Sequence, residues 1–398
     1  MGEKLRVAIA GCGILGTNHT RFFTRNPGTV VVAVADPLGE RAGELASTIG
    51  AAAYRDAQDM FTREHPDLAV VATPDPFHRD PLIAAAEAKV PNLITEKPMA
   101  TTLDDAQAMY DAAKRNGCRL WVHLPSRTAA HEIASRYVYQ HGLVGQAIYG
   151  DLTVDDNISV PTHMWRDRSR SWASQSSTAH FLFSHVVDRM RWMFEPAEVA
   201  EVQALVVRKV LGYSPDLYDA HLTWTNGLVL RIKAEWIRYM ESLVDQHFTF
   251  SGSTGGWISR GTSFNAEAGW QATLTTDLTL ADLERHQAAL REMGVYAKAV
   301  VRNPHEDVEG LSPRPSLEVQ QKFLPLFGGE PGLELRDHIV NAIIEGVEIP
   351  SSWKGGGRLP NGDDGLEQTR IVTAIERAAE TREVVRLRPS DYLTQSCL

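Results

Sequence analysis

The 398-residue sequence predicts two domains. Residues 1–124 read as an α/β Rossmann domain, a doubly wound parallel sheet. Residues 125–398 read as an α+β domain with an open, mainly antiparallel sheet. Three observations predict this. Apolar, strand-like runs alternate with helix-patterned stretches through the first third of the chain. The loop Gly11-Cys12-Gly13-Ile14-Leu15-Gly16 joins the first strand to the first helix. Beyond about residue 125, strands follow one another with few helices between them, as antiparallel sheets do.

In order, Leu5–Ala10 is a short apolar run that suits a buried parallel strand. Thr17–Thr24 is helix-compatible. A second strand, Thr29–Ala35, ends at Asp36, and Glu40–Ile49 is helical in pattern. Leu68–Ala72 is a strand closed by Thr73-Pro74, and Pro81–Ala88 is an Ala-rich helix. Asn92–Thr95 leads into Glu96-Lys97-Pro98. Thr102 with Asp105 three residues on marks a helix start, and Gly117 a helix stop. Arg119–Val122 is the last strand of this half. In the second half, Glu132–Gln140 is a helix and Gln146–Val154 and Val199–Val207 are strands. Tyr218–Trp224 and Leu228–Trp236 flank Thr225-Asn226-Gly227, a hairpin signal because Asn-Gly accepts positive φ. Gln246–Phe250 is one more strand. Thr275–Val301 is helical and charged, Asn303–Pro315, Gly328–Pro331 and Lys354–Gly362 are loops, Leu366–Ala379 is a helix and Glu383–Leu387 a strand.

Composition narrows the function. The net charge is −10, with no basic block, which excludes a nucleic-acid binder. No apolar run approaches the ~18 residues of a membrane span. A strand begins almost at the N-terminus, so no signal peptide is expected. The three cysteines (Cys12, Cys118, Cys397) are scattered and form neither a disulfide framework nor a zinc pattern, which fits a reducing cytoplasm. The expected partner is a small molecule. There are 14 histidines but no HExxH, and His180 and His185 lack metal-ligand spacing, so no metal is expected.

The glycine loop has a mechanical task. Gly11 permits the tight turn, Gly13 lets backbone approach a pyrophosphate, and Gly16 lets helix pack on strand; free N–H groups at the helix start then face phosphate charge. Asp36, 20 residues past Gly16, can accept both ribose hydroxyls of NAD and would repel the 2′-phosphate of NADP. NAD is therefore the expected cofactor. Seven of the nine tryptophans lie between Trp165 and Trp270; they suit either a sheet core or stacking against a sugar ring.

Taken together, GCGILGTNH (11–19), ADP (35–37), TPDPFH (73–78), EKPMA (96–100), MWRD (164–167), SHVVDRMRWMF (184–194), FSGSTGGW (250–257) and residues 362–387 resemble the glucose–fructose oxidoreductase, inositol dehydrogenase and MocA family. The resemblance spans about residues 5 to 388. It implies NAD or NADP chemistry on sugars, cyclitols or related alcohols, and assembly into homodimers or homotetramers through the second domain's sheet. It implies that Lys97 is the catalytic lysine and that His185 is the catalytic histidine. Four residues before that histidine the family has an aspartate; here stands Phe181, with His180 beside it. The resemblance also implies cofactor contacts by Thr73, Pro74, His78, Glu96, Trp165 and Arg166, and a substrate contact by Arg127.

The chemistry follows. Oxidising a secondary alcohol removes a hydride and a proton; the cofactor takes the hydride and the protein must move the proton. Burial and the positive nicotinamide lower the Lys97 pKa, so a neutral amine serves as base. His185 shares the proton or holds the reacting hydroxyl. His180 lies about 140° round a regular helix from His185, so it replaces the missing carboxylate only where the helix is irregular. Phe181 shares the face of His185 and offers an apolar ring, which favours a glycoside or anhydrosugar over free inositol. The expected function is an NAD-dependent dehydrogenase of a sugar, anhydrosugar, glycoside or cyclitol. The alternatives are an enzyme that cleaves glycosides or epimerises through a keto intermediate on tightly held NAD, and a non-catalytic sensor of dinucleotide and sugar.

Overall fold

The computed structural model describes residues 3–165, 168–263, 269–302, 313–322 and 334–388. The chain divides into two compact units. The first contains β1 (Leu5–Ala10), α1 (Ile14–Arg25), β2 (Thr29–Ala35), α2 (Gly39–Ile49), β3 (Ala52–Tyr54), α3 (Ala57–Glu64), β4 (Leu68–Val71), α4 (Arg79–Glu87), β5 (Asn92–Glu96), α5 (Leu103–Arg115) and β6 (Arg119–His123). Its six strands are parallel in the order β3-β2-β1-β4-β5-β6. The strand order reverses between β1 and β4, the place where ligands bind at the carboxyl ends of such sheets. β4 is buried at every position, as a strand covered on both faces must be. Ala8, Ala33, Ala69, Leu93 and Val122 join Met60, Phe61, Leu82 and Met109 from the helices in one core. The Thr102 hydroxyl accepts the Asp105 N–H at 3.1 Å and starts α5 as its sequence predicts.

The second unit holds α6 (Ala130–Gln140), β7 (Ala147–Asn157), α7 (Ser159–Thr162), α8 (Ser169–Ala173), α9 (Ser184–Phe194), β8 (Val199–Val207), β9 (Leu217–Trp224), β10 (Val229–Arg238), β11 (Val244–Gly252), β12 (Gly255–Ser263), β13 (Gly269–Thr276), α10 (Leu280–Glu292), β14 (Ala297–Arg302) and β15 (Arg314–Lys322). With β16 (Val385–Arg386) they form a ten-stranded sheet in the order β14-β15-β13-β12-β11-β7-β10-β9-β8-β16. Every pairing is antiparallel except β7 with β10. Strict alternation of burial along β10 sends Leu230, Ile232, Ala234 and Trp236 to the core face. The β9–β10 hairpin turns at Gly227 with φ +85°, as Asn-Gly predicts.

Two expectations change. The segment 275–301 is not one helix: α10 stops at Glu292 and the chain returns as β14, while Arg314 and Pro315 already belong to β15. Much of the expected loops 303–315 and 328–331 lies outside the described residues. The first unit also does not end at residue 124: the chain comes back to it through α11 (Leu335–Glu345) and the greater part of α12 (Gly362–Thr381). The reason is packing. The Asn26 amide donates to Asp337 at 3.0 Å, Arg336 donates to Asn18 at 2.6 Å, and Val122 N–H reaches the Pro360 carbonyl at 3.3 Å. Tyr110 O–H donates to Asp363 at 2.5 Å, and Leu366 enters the core of the parallel sheet. Among the described residues, no helix is long and apolar enough to cross a membrane.

Candidate active site

The glycine loop lies between β1 and α1. Gly11 has φ +98°, and a Cβ there would sit 2.5 Å from the Ala72 carbonyl oxygen. At Gly16 a Cβ would lie 1.8 Å from the Gly11 oxygen, so only glycine lets α1 close on the loop. Gly13 is different: nothing lies within 4 Å of its Cβ position, and no side chain caps the helix it opens. The N–H groups at the start of α1, including those of Ile14 and Leu15, precede the first intrahelical bond from Thr17, so the loop fits a bound pyrophosphate. Ile14 is exposed, Leu15 half-buried.

Asp36 ends β2 with its carboxylate anchored. Oδ2 accepts the Cys12 N–H at 3.0 Å and Oδ1 accepts the Leu38 N–H at 2.9 Å. The loop and its acidic residue therefore form one hydrogen-bonded unit. Burial and the Asp36 charge push the Cys12 thiol up to about 12, so it stays an inert thiol.

After β4, Thr73 donates its hydroxyl to the Phe77 carbonyl at 2.8 Å, and Pro74 is exposed. His78 is buried, with Nε2 2.9 Å from the Thr73 carbonyl and Nδ1 2.9 Å from the Pro98 carbonyl. Both ring nitrogens face backbone carbonyls, and the one that carries the proton donates, so His78 braces the backbone here. Glu96, at the end of β5, is similarly committed. Oε1 takes His19 Nε2 at 2.7 Å and His123 Nδ1 at 2.9 Å, and Oε2 accepts the Lys97 N–H at 3.2 Å. Lys97 therefore sits at a strand's carboxyl end with its backbone pinned by Glu96 before it and His78 after it; the Lys97–Pro98 peptide is cis.

His19, Glu96 and His123 were not singled out from the sequence as a group. Their ligand atoms fall within 4.8 Å of one another, but the contacts of 2.7 and 2.9 Å are hydrogen bonds in which the imidazoles donate. Burial would raise the Glu96 carboxyl, yet His123 and His19 outweigh it and hold the group well below the carboxylate range. Burial lowers His19 from 6.5 to about 4. Both shifts act in one direction. The His19 contribution to stability is complete above about pH 6.5 and is lost as pH falls toward 4; the Glu96 contribution is lost at still lower pH. The urea midpoint should drop between pH 7 and pH 4.5, with His19 responsible for about 2–3 kcal/mol of the loss. In His19→Gln that share disappears. An equal drop in the variant refutes the assignment.

In the second unit, His185 opens α9, half-buried, with Nδ1 3.5 Å from the Ser126 hydroxyl. The residues before it, Ala179–Phe183, form a π-helical turn, so the helix is irregular at this point. His180 is buried within this irregular turn, and Nε2 meets Glu376 Oε2 at 3.0 Å. Arg127 is 0% exposed and clamps both carboxylate oxygens of Asp188, through Nε at 2.9 Å and through Nη2. A guanidinium held in this way braces the second unit. Phe181 is half-buried in an aromatic cluster with Trp172 and Trp236, and Trp165 joins the same cluster through Trp172. Arg166 lies outside the described residues.

Residues 5–124 match the model of an oxidoreductase family with an NAD-binding Rossmann fold, GFO_IDH_MocA. A D-apiose dehydrogenase of Paraburkholderia graminis is 34% identical over 149 residues, 37% of this chain and 40% of that protein. An inositol 2-dehydrogenase of Rubrobacter xylanophilus is 27% identical over 227 residues, 55% of this chain and 60% of that protein. The chain thus spans less than two thirds of the length of either relative. Among solved structures, the WlbA dehydrogenase of Bordetella pertussis, in complex with NADH and UDP-GlcNAcA, superposes with a TM-score of 0.71 at 21% identity, covering 98% of this chain and 100% of that one. A levoglucosan dehydrogenase in complex with NADH and L-sorbose gives 0.71 at 20% identity, covering 97% and 100%. These two likenesses are likenesses of fold.

Proposed function

We propose that this chain is a member of the GFO_IDH_MocA oxidoreductase family, whose model its residues 5–124 match, and an NAD-dependent dehydrogenase that oxidises a secondary hydroxyl of a sugar, anhydrosugar, glycoside or cyclitol. The observation that carries the reading is the placing of the glycine loop, Asp36 and Lys97 at the carboxyl ends of β1, β2 and β5 of one parallel sheet. The N–H groups of the loop hold the pyrophosphate, and Asp36 takes the ribose hydroxyls. NAD supplies the hydride acceptor. Lys97 Nζ takes the hydroxyl proton in oxidation and returns it in reduction. Glu96 and His78 keep the Lys97 backbone in place while this happens. His185 orients the reacting hydroxyl. The relatives named for sugar and cyclitol oxidation support the substrate class.

A dehydrogenase releases NADH stoichiometrically with a panel of polyols and glycosides, whereas an enzyme that only borrows NAD leaves no net NADH and a sensor converts nothing. Absence of NADH across such a panel overturns the reading. Cofactor choice rests on Asp36. The kcat/KM with NAD should exceed that with NADP, because the carboxylate repels a 2′-phosphate. In Asp36→Ser the ratio should collapse by about ten- to a hundredfold, one to two pKa-unit equivalents of charge interaction. Equal use of both cofactors by the unaltered protein defeats the role given to Asp36.

A further inference from the structure

The helix that carries His185 is fixed on both sides of that residue. On the C-terminal side, α9 is pinned by buried ion pairs, Asp188 to Arg127 and Arg189 to Glu132. On the N-terminal side stands the π-helical turn Ala179–Phe183, which holds one residue more than a turn of α-helix. A surplus residue in a helix has no intrinsic place: it can sit ahead of His185 or slide past it. Ahead of His185, as here, the imidazole winds in register with Asp188 and Arg189. With the surplus residue past His185, the imidazole would be turned by about 100°, the rotation of one α-helical residue.

The polar anchor at the start of this turn is Glu376 of α12, which belongs to the same compact unit. Its Oε1 accepts the Ser177 hydroxyl at 2.7 Å, and its Oε2 meets His180 Nε2 at 3.0 Å. The Ser177 hydroxyl oxygen in turn accepts the His180 N–H at 3.1 Å, and the Ser177 carbonyl accepts the Phe181 N–H at 2.8 Å. Both carboxylate oxygens are thus spent on the two side chains that open the turn. Ser177 and His180 are each only 4% exposed, so water competes little for these bonds. His180 Nδ1 is buried without a hydrogen-bond partner, which leaves Glu376 as the polar anchor of the ring among the described residues. Burial would raise the Glu376 carboxyl, yet His180 and Ser177 hold it below its ordinary range, so it meets them as a carboxylate.

We propose that Glu376 is a positioning residue for the candidate active site. By holding Ser177 and His180 it keeps the surplus residue ahead of His185 and so sets the direction of that imidazole. It acts through the turn and moves no proton itself. The proposal deepens the dehydrogenase reading and rests on it for the role of His185 in orienting the reacting hydroxyl.

NADH formation is followed with myo-inositol, glucose, methyl β-glucoside and 1,6-anhydroglucose, and the best of these serves a double-mutant cycle in the full-length protein. Glu376→Ala should lower kcat about ten- to a hundredfold, the scale of a misplaced orienting group. The Kd for NAD should stay unchanged, because the glycine loop and Asp36 lie in the first unit. In the His185→Ala background the same substitution should cost less than about twofold, since the group it positions is gone. Glu376→Gln keeps a group of the same length that can bond both partners, and should recover most of the rate. A second readout needs no turnover. In protein labelled with 13C-histidine, the His185 ring signal, assigned by its loss in His185→Gln, should move in Glu376→Ala while that of His19 in the first unit stays. Should Glu376→Ala fail to fold by circular dichroism, Ser177→Ala, which releases one carboxylate oxygen, replaces it in both measurements. An equal loss of kcat in both backgrounds, or an unmoved His185 signal, overturns the proposal. If none of the four compounds yields NADH, the dehydrogenase reading falls and the ring signal decides the positioning role. NADH formed with a stationary His185 signal does the reverse.

Discussion

Lys97→Ala should lower kcat by ~10²–10⁴-fold, the worth of a positioned acid–base group, while the Kd for NAD stays nearly unchanged. The structure sharpens this expectation. Lys97 lies just past β5, its N–H held by Glu96 and the next carbonyl held by His78. Deleting the amine therefore leaves the surrounding backbone braced, and the loss reports proton transfer and not collapse of the site. Lys97→Arg should be almost as impaired, because a guanidinium keeps its proton across the accessible pH range. Added methylamine should restore part of the activity of Lys97→Ala. Near wild-type kcat in the alanine variant removes Lys97 from the mechanism. His185→Ala should be milder, with KM and kcat both affected, if the imidazole only orients the hydroxyl.

The second large effect concerns stability. Asp188→Ala should destabilise the second unit by about 3–5 kcal/mol, the usual cost of stranding one member of a buried pair. Arg127 is wholly enclosed and meets Asp188 through two donors, with Trp192 6.0 Å from its guanidinium carbon. Without the carboxylate, a buried cation loses its counter-charge. The urea midpoint, followed by tryptophan fluorescence, measures the change, since seven of the nine tryptophans lie in this unit. Replacing both partners by apolar residues, Arg127→Met with Asp188→Leu, should recover most of the loss. A single variant with an unaltered midpoint contradicts the claim that the pair braces the fold.

These residues also show where a sequence is legible. The glycine loop, Asp36 and Lys97 could be found because their neighbours in space are neighbours in sequence: a strand, a turn and a helix start. The Thr102 cap and the Asn226-Gly227 turn are local in the same sense. Arg127 and Asp188 are 61 residues apart, His180 and Glu376 are 196 apart, and His19 meets Glu96 across 77. No local pattern pairs such groups, so the partners of Arg127 and His180, Asp188 and Glu376, could not be read from the sequence. His19 left one trace: it falls with Gly16, Thr20 and Phe23 on the buried stripe of α1, an unusual place for an imidazole without a partner. The short β3 and α3 escaped notice because a three-residue strand carries too few alternations to stand out. β13 and β15 do carry the alternation of a half-buried strand, with Trp270, Ala272 and Leu274 buried in one and Leu317 and Val319 in the other, so their signal was legible.

The return of α11 and α12 to the parallel sheet has a consequence for how the chain is made. A ribosome delivers the six parallel strands by residue 123, yet the helices that fasten onto that unit lie at residues 335–345 and 362–381. At ~5–20 residues per second, synthesis leaves the nascent domain incomplete for roughly ten to fifty seconds. During that interval the surfaces of Phe22 and Leu120, later covered by Arg336 and Gly362, stay open to chaperones and to neighbouring chains. A fragment ending near residue 125 would prolong the same condition indefinitely. The dinucleotide module of this chain is consequently not a detachable cassette: it matures only when the distal part of the message has been read.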